Sequence, residues 1–112
     1  MKYDEFITRL KEFLESEKIG NEYVVIARGA MLIWGLIDET NDVDVAINNQ
    51  IDKQYKKIDW IDNFQKYNPE DIVIIDEIRC TTLEKIYELK KELNRPKDQE
   101  DIKLLEQYLN QK

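Results

Sequence analysis

Asp42 and Asp44 carry the clearest chemistry in this chain, because they sit two residues apart at the head of the apolar run Val43-Asp44-Val45-Ala46-Ile47. Alternate side chains of an extended strand share one face, so both carboxylates project together from Cα atoms roughly 6.5 Å apart. Oxygen donors at that spacing suit a single hard divalent cation bridged between them. Upstream, Arg28-Gly29-Ala30 opens a short apolar segment that runs to Leu36, so a glycine turn, a short helix and an acidic strand follow one another without interruption. The rest of the chain has to hold that unit in place.

With 112 residues, the chain is sized for one small domain spanning 1–112, in which everything shares one core. The formal charge of −7 argues against a nonspecific grip on nucleic-acid phosphates, which calls for a basic stripe, so a nucleic-acid partner is disfavoured. Cys80 is the single cysteine and histidine is absent, which rules out an intrachain disulfide and a Cys/His zinc site. The first residues, Met1-Lys2-Tyr3-Asp4-Glu5, are acidic and amphipathic and lack the apolar stretch of a signal peptide, which predicts a cytoplasmic address. The longest apolar stretch, Tyr23 to Ile37, is broken by Arg28 and glycines and falls short of the ~20 residues that span a bilayer, so no membrane association is expected.

Apolar periodicity supplies the elements. Tyr3, Phe6, Ile7, Leu10, Phe13 and Leu14 recur at helical spacing and predict an amphipathic helix ending near Gly20-Asn21. Tyr23 to Ala27 reads as a buried strand, Ala30 to Leu36 as a short helix and Val43 to Ile47 as a second strand. Ile51, Tyr55, Ile58 and Phe64 fit a helix in the middle segment, stopped by Asn68-Pro69. Ile72 to Ile75 is another apolar strand, followed by an extended piece at Ile78 to Cys80. Thr81-x-x-Glu84 has the form of a capping box that starts a helix bearing Leu83, Ile86, Tyr87 and Leu93. After the break at Asn94-Arg95-Pro96, Ile102, Leu105, Tyr108 and Leu109 line a last helix. The predicted fold is α+β, a small mixed β-sheet flanked by helices with a C-terminal helical hairpin.

The run from Val24 to Ile47 resembles the nucleotidyltransferase superfamily, whose signature is a Gly-Gly or Gly-Ser turn, a short helix and an Asp-x-Asp strand. It is most similar to the minimal branch found in bacterial abortive-infection and toxin–antitoxin systems, where a glycine and Thr-x-Asp-x-Asp precede an apolar strand, as Gly35 and Thr40-Asn41-Asp42-Val43-Asp44-Val45 do here. Leu83 to Lys90 followed by Arg95-Pro96-Lys97-Asp98-Gln99-Glu100-Asp101 resembles the closing helices of that branch. The two blocks cover roughly half of the chain.

The resemblance implies transfer of a nucleoside monophosphate from a nucleoside triphosphate to an acceptor, with phage defence as its setting. Such a displacement needs charge neutralisation and alignment, which Mg²⁺ ions fixed by acidic side chains supply. Asp42 and Asp44 would be the metal ligands. Arg28, Gly29 and Ala30 would meet the phosphates at a helix N-terminus, and Lys90, Arg95 and Lys97 would add positive charge across the cleft. Members of the family also use a third carboxylate as general base. Its position falls among Ile72 to Ile75, with Asp76 at the strand's end preferred over Asp71 at its start. A serine in the turn is missing, since Ala30 or Arg28 stands there.

Plainer roles compete with these. Lys90, Lys97, Asp98 and Asp101 read equally as solvated charges or a cap, Trp34 and Trp60 as core or interface anchors, and Cys80 as a small buried hydrophobe. A catalytically inactive relative, serving as a binding or antitoxin-like module, is the alternative to the enzyme, and an acidic interaction protein is a third. Small size and aromatic content fit a homodimer or a protein partner.

Overall fold

The computed structural model describes residues 1–111. Helix α1 (Tyr3–Ser16) buries Phe6, Leu10 and Phe13, the stripe expected from its periodicity. Strand β1 (Tyr23–Val25) is buried along its whole length and leads straight into helix α2 (Ala27–Trp34). Gly35 closes α2 in the left-handed conformation at φ 85°, where a side chain would be strained. Strand β2 (Val43–Ile47) returns antiparallel to β1.

Residues 48–57 form a helix-free crossover to β3 (Ile58–Asp62), which pairs parallel with β2. This overturns the helix expected between Ile51 and Phe64. Ile51, Tyr55 and Ile58 do face the core, and Tyr55 packs edge-on against Phe13 at 5.0 Å between ring centroids. Their spacing comes from a loop laid over α1 and a strand entering the sheet, and it imitates a helical stripe.

Short 3-10 turns at Phe64–Lys66 and Pro69–Asp71 lead to β4 (Ile72–Ile75), which makes a tight hairpin with β5 (Ile78–Thr81). Asp76 and Glu77, the two turn residues, both have positive φ, as a primed hairpin turn requires. The sheet order is β3-β2-β1-β5-β4, mixed because β1 pairs parallel with β5. Helix α3 (Leu83–Leu93) is capped by Thr82, whose hydroxyl accepts from the Lys85 amide. Thr81, expected as the cap, ends β5 and is buried. Helix α4 (Gln99–Leu109) folds back along α3, with Tyr87 donating to Glu106 at 3.1 Å, and completes the α+β fold and its helical hairpin.

The main core lies between the sheet and α1, α2, α3 and α4 and includes Phe6, Phe13, Met31, Val45, Leu83 and Leu105. Val24, Ile26 and Ala46 on the other sheet face form a smaller cluster under Phe64, Tyr67 and Ile72. Cys80 is buried in the main core, and that burial pushes its thiol up to about 12. At the start of the chain, Lys2 bridges Glu39 and the Thr40 amide donates to the Met1 carbonyl, tying the loop before Asp42 to the entry of α1. Among the described residues, no helix is long and apolar enough to cross a membrane.

Candidate functional site

Strand pairing assembles one wall of a cleft. β2 and β3 run parallel with Asp44 in register with Asp59, while Val43 and Val45 between and beside them point into the core. Asp42 lies just ahead of β2 and is exposed, as is Asp59, whereas Asp44 is partly buried. The three aspartates line a cavity of about 540 Å³ whose other walls include Arg28, Lys90, Arg95 and Lys97.

Crowding of like charge is written into Asp44. Burial, then Asp59, then Asp42 push its carboxyl from the ordinary 3.8 up to about 7, partly offset by a hydrogen bond from the Gly29 amide and by Lys90. An acid half-protonated at neutral pH marks a place where added positive charge is favoured. The donors are all carboxylate oxygens, which suits a hard divalent cation such as Mg²⁺. As the side chains stand, no group of three or more acidic, cysteine or histidine residues among those described is gathered tightly enough to hold a metal ion.

The cationic wall is a network. Lys90 Nζ lies 3.2 Å from Asp98 Oδ1 and 3.3 Å from Asp101 Oδ2. Arg28 pairs with Asp101, and Arg95 Nε donates to Asp98 Oδ2 at 2.6 Å. Asp98 and Asp101 are each 2% exposed, so these pairs are shielded from solvent on the acidic side. The Arg95 hydrogen bond, reinforced by Lys90, holds the Asp98 carboxyl down at about 2. Lys97 is exposed at the rim and makes no ion pair among the described residues.

The residues expected at the site divide. Asp42, Asp44, Arg28, Lys90 and Lys97 come together around the cleft. Gly29 contributes through its backbone, but an added Cβ would meet Phe6 Cζ at 2.9 Å and Val25 Cγ1 at 3.1 Å. Its smallness therefore serves the packing of α2 against α1 and β1. Ala30 is fully buried in the core and does not line the cleft. The bend itself falls earlier than expected, at Ala27, which has φ 53° and lines the cleft. Arg28 follows the bend directly.

Asp76 is not brought to the site. It sits in the β4–β5 turn and accepts a 2.7 Å hydrogen bond from the Tyr3 hydroxyl. Asp71 accepts from the Asn68 amide and lies 3.8 Å from Lys85, an end-of-turn role. The carboxylate that does stand beside Asp44 is Asp59, which the sequence reading passed over. The signal available is the apolar–polar–apolar step Ile58-Asp59-Trp60, cut short by Ile61 and hidden by the helical spacing around it.

Comparison of the chain with protein families, with curated proteins and with solved structures gives no match.

Proposed function

We propose that this protein is a minimal metal-dependent nucleotidyltransferase that moves a nucleoside monophosphate from a nucleoside triphosphate to an acceptor. The observation that carries the reading is the parallel register that seats Asp59 beside Asp44, with Asp42 next to them and a cationic wall across the cleft. Asp42 and Asp44 are the residues that would hold Mg²⁺, which when bound supplies charge neutralisation on the phosphates. Asp59 takes the place given above to Asp76 and accepts the proton of the acceptor hydroxyl. That oxygen bonds to the α-phosphorus as pyrophosphate leaves. Lys97 at the rim, and the Arg28–Lys90–Arg95 wall behind it, attract and orient the triphosphate. The family resemblance points to a toxin–antitoxin or phage-defence setting, the first residues to a cytoplasmic one, and small size with aromatic content to a protein partner or a second copy of the chain.

The test is a titration of Mg²⁺ with ATP, CTP, GTP and UTP against wild type and an Asp42→Ala/Asp44→Ala variant, read by thermal shift and by transfer of an α-phosphate label. Wild type alone is expected to respond. Equal responses from both proteins would overturn the enzyme.

One observation favours a second reading, a catalytically inactive binding or antitoxin-like module. Arg28, Lys90 and Arg95 are already paired with Asp98 and Asp101, whereas Lys97 makes no ion pair among the described residues. Nucleotide binding without label transfer would select this reading.

A further inference from the structure

The acidic cleft does not end at its cations. A second cavity of about 260 Å³ adjoins it, and Ile61, Lys90, Leu93 and Arg95 line both, so the two form one groove. Character changes along its length. One end is walled by the three aspartates and the paired cations, while the other is walled by aliphatic side chains of β3 and α3 and by the ring of Tyr67. Where they join, Ile61 is 47% and Leu93 58% exposed, two of the few large apolar side chains left in solvent.

The apolar recess contains an unmet polar demand. Asn63 lines it, and the Asn63 side-chain carbonyl oxygen is buried without a hydrogen-bond partner among the described residues. An unpaired buried acceptor is costly, and a carboxamide turns about its last torsion to offer either its oxygen or its amide group. A flat apolar recess with one convergent amide is the pattern of a pocket for a small heterocycle.

We propose that this recess seats the nucleobase of the nucleotide, with Asn63 hydrogen-bonding the base edge and so setting the preference among bases. The inference rests on the nucleotide reading above and adds the subsite that recognises the heterocycle. The base lies against the Tyr67 wall and the Ile61 and Leu93 side chains, which buries those two, and the phosphates extend toward the cations. Turned about its last torsion, the Asn63 carboxamide offers its oxygen to an N–H of the base. Each base offers an adjacent donor and acceptor, but in a different order and at a different distance from the sugar, so a carboxamide fixed at one depth in the recess does not meet the four bases equally.

Inorganic tripolyphosphate with Mg²⁺ probes the polar end alone, and the four nucleoside triphosphates probe both ends. For an Ile61→Gln/Leu93→Gln variant, altered only at exposed positions, nucleoside triphosphate affinity is expected to fall about tenfold while tripolyphosphate affinity stays within about twofold. Asn63→Leu, which removes no side-chain hydrogen bond among the described residues, is expected to level the ranking among ATP, CTP, GTP and UTP. Unchanged nucleotide affinity in the first variant, or an unchanged ranking in the second, overturns the base subsite while leaving the triphosphate site standing. Failure of every triphosphate, tripolyphosphate included, to bind wild type overturns the site reading and this inference together.

Discussion

Asp44 and Asp59 stand opposite one another on neighbouring parallel strands, so two carboxylates from segments fifteen residues apart share one rung of the sheet. The pair sits on the cleft side, backed by a core in which Val43 and Val45 are fully buried. Neither backbone can move away from the other without breaking the β2–β3 ladder. Their repulsion is therefore relieved by a proton or by a cation.

The first prediction follows from that proton. Asp44 titrates near 7 in the folded protein against 3.8 ordinarily, so the folded state holds the proton more tightly between those values. Its contribution to stability is complete below about pH 4 and is lost as the pH rises through 7. Asp44→Asn removes this dependence and is expected to be the more stable protein above neutrality, by on the order of 1–3 kcal/mol. Mg²⁺ favours the ionised acids, so its thermal shift on wild type is expected to grow from pH 5.5 to pH 8. Melting curves across that range check both, and parallel curves for wild type and variant would contradict the buried-charge origin.

Asp59 and Asp76 are separated by a second measurement. Loss of a positioned general base costs on the order of 100-fold or more, so Asp59→Asn is expected to abolish most label transfer. Asp76→Ala, in the β4–β5 turn, is expected to leave transfer near wild type while releasing the Tyr3 hydroxyl. That hydroxyl is pushed up to about 12, by burial first and then by Asp76, and its titration is expected to move down in the variant. Equal losses in the two variants would remove Asp59 from the mechanism.

Gly29 gives a packing prediction. A methyl group there meets the buried ring of Phe6, and the overlap is expected to cost about 1–2 kcal/mol net of the better helix propensity of alanine. Gly20→Ala is the control, since nothing lies within 4 Å of an added Cβ at that position. Urea denaturation of the two variants decides it, and a neutral Gly29→Ala would mean that α2 is free to shift.

Ala27 predicts the opposite sign. Its φ of 53° is a conformation that glycine adopts without penalty, so Ala27→Gly is expected to stabilise by about 1 kcal/mol. A lower melting temperature would show that the methyl group packs usefully in the cleft wall.

The ion network supplies the last. Lys90→Met leaves Asp98 with Arg95 and Asp101 with Arg28 but strips the central charge from two buried acids, for an expected loss of about 2–3 kcal/mol at pH 7. Asp98 is held near 2, so its pairing contributes fully above about pH 4 and is lost as the pH falls through 2. Asp98→Asn is expected to lower stability at pH 7 and to flatten the acid limb of the unfolding profile. An acid limb as steep as wild type would assign it to other groups.

What could be read in the chain tracks how local its cause is. The stripe of α1 and the apolar β2 and β4 depend on neighbours in sequence and stand where periodicity puts them, whereas β1 stops at Val25, α2 begins three residues earlier than expected, at Ala27, and Asp42 falls in the bend ahead of β2. The crossover at 48–57 defeats periodicity because Ile51 and Tyr55 are buried by α1, an element far from them in the chain. Losing β3 meant losing Asp59. Gly29 was legible as a residue that must be small, but its reason, Phe6, lies on another helix. The pairing of Lys90 with Asp98 and Asp101 likewise depends on how α4 folds back on α3, which charge patterning along the chain does not specify.

The clasp between the first two residues and the loop at Glu39 and Thr40 has a kinetic consequence. Because the Thr40 amide donates to the Met1 carbonyl, its exchange with solvent is expected to require the entry of α1 to open. Deuterium uptake at Thr40 is thus expected to time the opening of a clasp that closes only two residues ahead of Asp42 in the chain.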